Sequence, residues 1–144
     1  MSRNLEFFDP NLLIAATIHE HIHHHASMAR LVKLAATGGA CSAHTLAEAY
    51  NNLTKFGKGY GRSPTDTLMV LQFVRDTFTL VTLTPRETMS ASEGVVKLGL
   101  SGGMVYDSLL MACARKIDAS AIYTHNVKHF RRVAPDLADR IREP

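Results

Sequence analysis

Apolar positions along the chain alternate between short continuous runs and longer stripes at helical spacing. Leu5-Glu6-Phe7-Phe8 is short and apolar and stops at Asp9-Pro10-Asn11, which predicts a buried strand ending at the aspartate; a helix then begins over Leu12 to Ala16. Met28, Leu31, Val32 and Ala35 follow i, i+3, i+4, i+7 spacing and predict the apolar stripe of an amphipathic helix, closed by Gly38-Gly39. A small second strand is expected at Ala40 to Ala43. Leu46, Ala49, Tyr50 and Leu53 repeat the helical stripe and leave Glu48 off the buried face. Gly57-Lys58-Gly59-Tyr60-Gly61-Arg62 breaks the pattern and reads as a loop. Ser63-Pro64-Thr65-Asp66 opens another helix with a serine cap, proline at the first helical position and an acid in the first turn. The β-branched and aromatic run Phe78 to Thr84 predicts a third strand, and Thr84-Pro85-Arg86-Glu87 has the capping-box pattern of a helix that Gly99 ends. Met104 to Ile117 is apolar on most sides and predicts a covered, central helix. Ala121 to Thr124 reads as a fourth strand, Val127 to Val133 as a short helix, and Arg140 to Arg142 as an edge strand.

Strands alternating with helices predict a parallel sheet covered on both faces and joined by right-handed crossovers. The 144 residues suit one domain, 1–144, and 46% hydrophobic against 20% charged residues excludes disorder and fibrous repeats. No apolar run reaches the roughly 18–20 residues of a membrane span, and Glu6 and Asp9 interrupt any signal-peptide core. Cys41 and Cys113 sit in apolar surroundings without CxxC spacing, as buried thiols of a cytoplasmic protein do. A net charge of +3 permits a nucleic-acid partner without demanding one.

Topology then brings acids together. In a parallel sheet, strand C-termini and helix N-termini share one edge, where ligands of open α/β folds bind. Asp9 ends the first strand, Glu48 lies early in the helix after the second, Asp107 lies in the first turn of its helix, and Asn126 follows the fourth strand. Taken singly, acids near helix N-termini merely complement the helix dipole; three carboxylates gathered at one edge repel unless a cation sits among them. Hard oxygen ligands suit Mg²⁺ or Mn²⁺, which can activate a water and polarise a phosphoryl oxygen, so phosphodiester hydrolysis is the implied chemistry.

Phe8-Asp9-Pro10-Asn11, Leu46-Ala47-Glu48, the run Gly103-Met104-Val105-Tyr106-Asp107-Ser108-Leu109-Leu110-Met111-Ala112, and Thr124-His125-Asn126-Val127-Lys128-His129-Phe130 together resemble the successive motifs of PIN-domain ribonucleases. VapC-type toxins of toxin–antitoxin pairs are the group they look most like. The resemblance implies a PIN-like (Rossmann-like) α/β/α sandwich with a central, mostly parallel sheet of four or five strands. It implies Mg²⁺- or Mn²⁺-dependent RNA cleavage, a homodimer, and an inhibitory antitoxin that occludes the carboxylate edge. By the same resemblance Asp9, Glu48 and Asp107 match the metal-binding acids, with Asn126 as a fourth ligand. Thr124 and Asn126 match the polar pair that positions the water or the ligands. Asn126 is neutral where many relatives carry another aspartate, and Pro10 stands where a small hydroxyl residue is common.

Other patterns compete. His19-Glu20-His21-Ile22-His23 fits the H-E-x-x-H zinc-protease motif, which works only if both histidines share a helix face; Ala26 and Ala29 break its extended form. Five histidines among residues 19–25 read more simply as a solvated segment at the rim of the acidic cleft, able to touch RNA. The loop Gly57 to Gly61 follows a helix and lacks G-x-G-x-x-G spacing, so it is no dinucleotide cradle, although Lys55, Lys58 and Arg62 could attract phosphates. Arg115, Lys116, Lys128, Arg131 and Arg132 are candidates for a basic rim. A catalytically inert PIN-like RNA- or protein-binding module is the main alternative, and a phosphoacceptor receiver domain lacks its lysine at Thr124-His125-Asn126.

Overall fold

In the computed structural model, which describes residues 4–55 and 61–144, five parallel strands form one sheet in the order β3-β2-β1-β4-β5. These are β1 (Glu6–Phe8), β2 (Gly39–Ser42), β3 (Thr79–Val81), β4 (Ala121–Tyr123) and β5 (Ile141–Arg142). Seven helices join them: α1 (Pro10–Thr17), α2 (His24–Thr37), α3 (His44–Thr54), α4 (Pro64–Thr77), α5 (Pro85–Lys97), α6 (Met104–Lys116) and α7 (Val127–Val133); a 3-10 helix, Pro135–Arg140, precedes β5.

Strand alternation divides the core. Phe8, Cys41, Ala121 and Tyr123 pack with Leu12, Leu34, Leu53 and Val74 beneath α1–α4. Phe7, Ala40, Val81 and Ile122 point the other way, onto Leu110, Met111, Phe130 and Leu137 of α6, α7 and the 3-10 helix. The result is an α/β/α sandwich on a parallel sheet, with both cysteines buried and free.

Local signals in the sequence are realised in detail. Ser63 Oγ accepts from the Asp66 N–H at 3.0 Å, and the Thr84–Glu87 capping box closes at 2.9 and 3.1 Å. Gly38, at φ 116°, lets the chain leave α2 and turn into β2. Three expectations need correction. The α2 stripe is rotated: Ser27, Leu31 and Leu34 face the core, whereas Val32 is 61% exposed. The third strand stops at Val81, because its neighbour β2 ends at Ser42 and the chain turns into α3 once the Ala43 N–H has bonded Val81 O. On α3, Tyr50 is exposed and Thr45 takes its place on the buried face. The predicted loop at 57–62 falls mostly on residues outside the described ones.

Candidate active site

The sheet's C-terminal edge is built around Asp9. Its position directly after β1 and before Pro10 makes it the N-cap of α1, where Oδ1 accepts the Leu12 N–H at 3.0 Å. The other oxygen, Oδ2, accepts the Thr124 hydroxyl at 2.6 Å, from the end of the adjacent strand β4. Thr124 Oγ1 in turn accepts the Asn126 N–H at 2.9 Å. A chain of hydrogen bonds thus runs from the start of α7 to the end of β1. Both Asp9 and Thr124 are fully buried. Asn126 is the N-cap residue of α7, yet its side chain makes no capping bond.

Glu48 lies in the second turn of α3 and Asp107 in the first turn of α6, both half-buried. Along this edge Asp9 feels the charge of Glu48, and Glu48 that of Asp107. Burial is the chief cause that pushes the Asp9 carboxyl up to about 6; Glu48 adds to it, while the bonds from Thr124 and Leu12 hold it down. Glu48 is raised by burial and by Asp107, against the pull of His44. Asp107 is raised by burial and lowered by His129. The structure therefore couples Asp9 to Glu48 and Glu48 to Asp107.

His44 was not anticipated from the sequence. It stands four residues before Glu48 on the same helix, and i, i+4 spacing is the signal that could have found it. Ser42, Ala43, His44, Glu48 and Tyr106 line a cavity of about 360 Å³ between α3 and α6.

The competing patterns fare differently. Residues 18–23 form the turn between α1 and α2, so His19 and His23 do not share a helix face and the H-E-x-x-H reading fails. Of the predicted basic rim, Arg115 is engaged by Asp136 at 2.9 Å and Lys116 by Glu87 at 2.8 Å, while Arg131 binds the carbonyls of Ala138 and Ile141. Lys128 and Arg132 form no ion pair among the described residues.

The family model now decides the matter: residues 7–135 match the PIN domain, a stretch that contains Asp9, Glu48, Asp107 and the polar turn after β4. The chain belongs to the PIN-domain family. No curated protein shows significant similarity to it. PIN domains are a nuclease superfamily, and the donors at the edge of this one are carboxylate oxygens, the chemistry that hard divalent ions select. Among the described residues no three His, Cys, Asp or Glu side chains stand close enough to enclose a metal by themselves.

Proposed function

We propose that this PIN domain is a divalent-metal-dependent endoribonuclease that hydrolyses RNA phosphodiester bonds, and that it acts as the toxin of a toxin–antitoxin pair. The observation that carries the reading is the PIN family match over 7–135 together with Asp9, locked by Thr124 and Leu12 at the sheet edge where α/β folds place their ligands, with Glu48 close enough to feel its charge. Asp9, Glu48 and Asp107, with Asn126, would hold Mg²⁺ or Mn²⁺. When bound, such an ion supplies charge for the phosphoryl oxygens and lowers the pKa of a water.

The chain's own residues do the rest. Thr124 and the Leu12 N–H fix both Asp9 oxygens, so that carboxylate cannot swing away from the edge. Glu48, which lines the cavity between α3 and α6, and Asp107, half-buried in the first turn of α6, can accept protons from an attacking water. The Asn126 side chain, unused as a cap, can hydrogen-bond and orient that water or a phosphate oxygen. His44 and His129, beside Glu48 and Asp107, can offer ring N–H groups to phosphoryl oxygens.

The partners follow from the surface. An open apolar groove of about 510 Å³ between α1, α2 and α4, lined by Leu13, Met28, Val32, Met69 and Phe73, suits an amphipathic antitoxin segment reaching toward the carboxylate edge. Met89 and Val96, seven residues apart on α5 and both exposed, suit a homodimer contact. Free buried thiols support a cytoplasmic setting, and no described helix is long and apolar enough to cross a membrane. The family match over 7–135 supports one domain across 1–144.

The test is cleavage of single-stranded RNA with Mg²⁺, Mn²⁺ or Zn²⁺ in turn, for the wild type and Asp107→Ala. Cleavage that needs Mg²⁺ or Mn²⁺, stops with chelator and falls about a hundredfold or more in the variant is expected, since even outer-sphere partners of a metal are worth about 10–100-fold. Cleavage insensitive to Asp107→Ala refutes the site. The neutral Asn126 favours a second reading, a PIN-like module that holds RNA or protein without turnover; RNA binding with no cleavage under any metal would select it.

A further inference from the structure

The histidines of the α1–α2 turn are not scattered. The His23 ring lies flat on the His125 ring, with centroids 4.1 Å apart and planes 12° from parallel. His125 is fixed from behind by Ser27 Oγ, 2.7 Å from its Nε2, and Ser27 is fully buried in α2. His21 leans on the same pair, 5.7 Å from His23, and its Nδ1 accepts the His23 N–H at 3.1 Å. Ile22, between them, is 88% exposed. The turn thus presents a braced, flat, partly apolar shelf to solvent, at a place where nothing in the core requires one.

Its position ties it to the carboxylate edge. His125 lies between Thr124, which holds Asp9, and Asn126. His125 and Asn126 also line an open pocket of about 450 Å³ whose charged residues are Lys128, Arg131 and Glu143, a balance of one positive charge. A flat ring face beside a cationic, polar pocket is what single-stranded RNA requires of a protein: a surface for a base and charge for the backbone.

We propose that the stacked His23–His125 pair is a base-stacking platform that holds one nucleotide of single-stranded RNA next to the carboxylate edge, with the neighbouring phosphate directed into the pocket of Asn126 and Lys128. The platform rests on the nuclease reading for its orientation, but its binding role can be measured apart from cleavage. Parallel stacking turns the ring nitrogens' lone pairs edgewise rather than toward a common point, which suits the pair to a base and not to a shared metal ion.

The experiment uses the full chain in chelator and a fluorescein-labelled oligouridylate of about ten nucleotides, followed by anisotropy, with an abasic oligomer of the same backbone as the second probe. His23→Ala should weaken binding of the oligouridylate roughly five- to thirty-fold and leave binding of the abasic oligomer unchanged, and His23→Phe should restore the first. His23 is exposed, so the variants keep their fold, checked by an unchanged Tm. Equal binding of the oligouridylate by His23→Ala and wild type, or an equal loss for both probes, overturns the platform. Loss confined to the oligouridylate supports it even if no metal elicits cleavage, in which case the nuclease reading fails alone; intact cleavage with unaltered binding in His23→Ala removes the platform alone. No binding of either probe by the wild type removes both.

Discussion

Asp9 illustrates how a single residue serves two ends. As the cap of α1 it belongs to the fold, and as a buried carboxylate it belongs to the site proposed above. The two roles conflict over its charge. Its folded pKa, about 6, exceeds the ordinary 3.8, so the folded state holds this proton more tightly than the unfolded chain does. Stability from this group is fully present below pH 3.8 and is lost as pH rises through about 6. Asp9→Asn, which removes the buried charge, keeps the Leu12 N–H bond through its amide oxygen and reverses the Thr124 contact into N–H donation to Oγ1, should therefore be more stable than wild type by about 1–3 kcal/mol at neutral to mildly alkaline pH. The difference should vanish at acid pH, and thermal melts across the range will check it. Excess Mg²⁺ should close the gap by stabilising the wild type alone; a wild type more stable than Asp9→Asn at pH 8 without metal would contradict the burial argument. The sequence made Asp9 legible, since a strand ending in Asp-Pro exposes its own boundary. It could not disclose the Thr124 hydroxyl bond, because that contact spans 115 residues and depends on β1 and β4 being neighbours.

At the scale of elements, local chemistry and tertiary demand can be told apart. Caps were readable because the bonds of Ser63 with Asp66 and Thr84 with Glu87 close within four residues. Helix faces were less so. In α2 the sequence offers more apolar positions than the core accepts, and packing against α1 chose Leu31 and Leu34 over Met28 and Val32, which line the open groove instead. The length of β3 was unreadable for a similar reason, since strand extent belongs to the pair. Gly39, which begins β2, marks a tight packing point: a Cβ there would lie 2.9 Å from the Phe78 ring and 3.0 Å from Leu34 Cβ. Gly39→Ala should cost about 1–3 kcal/mol, read as a lower denaturant midpoint with an unchanged slope. An unaltered midpoint would mean that Phe78 moves aside freely.

For the whole molecule, alternation of strands and helices sufficed to foresee a parallel sheet with two covered faces, since few other arrangements bury such a pattern. The same topology predicted the gathering of Asp9, Glu48 and Asp107 at one edge; Glu48 feels the charge of Asp107, and Asp9 that of Glu48, but among the described residues no three such acids form one cluster. Charge on the surface was harder to foresee, because a basic residue count does not reveal which cations are already engaged. Lys128→Ala and Arg132→Ala should each reduce the slope of log affinity for RNA against log salt by about one. Arg115→Ala, whose guanidinium is engaged by Asp136, should leave the slope nearly unchanged. Equal effects from all three would show that the ion pair does not withhold Arg115 from the polyanion.

The sheet order also bears on biosynthesis. β1 lies at the centre of the sheet and is made before its partner β4, with Asp9 and Thr124 separated by 115 residues. Until Ala121–Thr124 has left the ribosome, one side of β1 is bare and Asp9 has no hydroxyl to hold it. On the reading proposed above, the Asp9 carboxylate is therefore set in place only once β4 has docked beside β1.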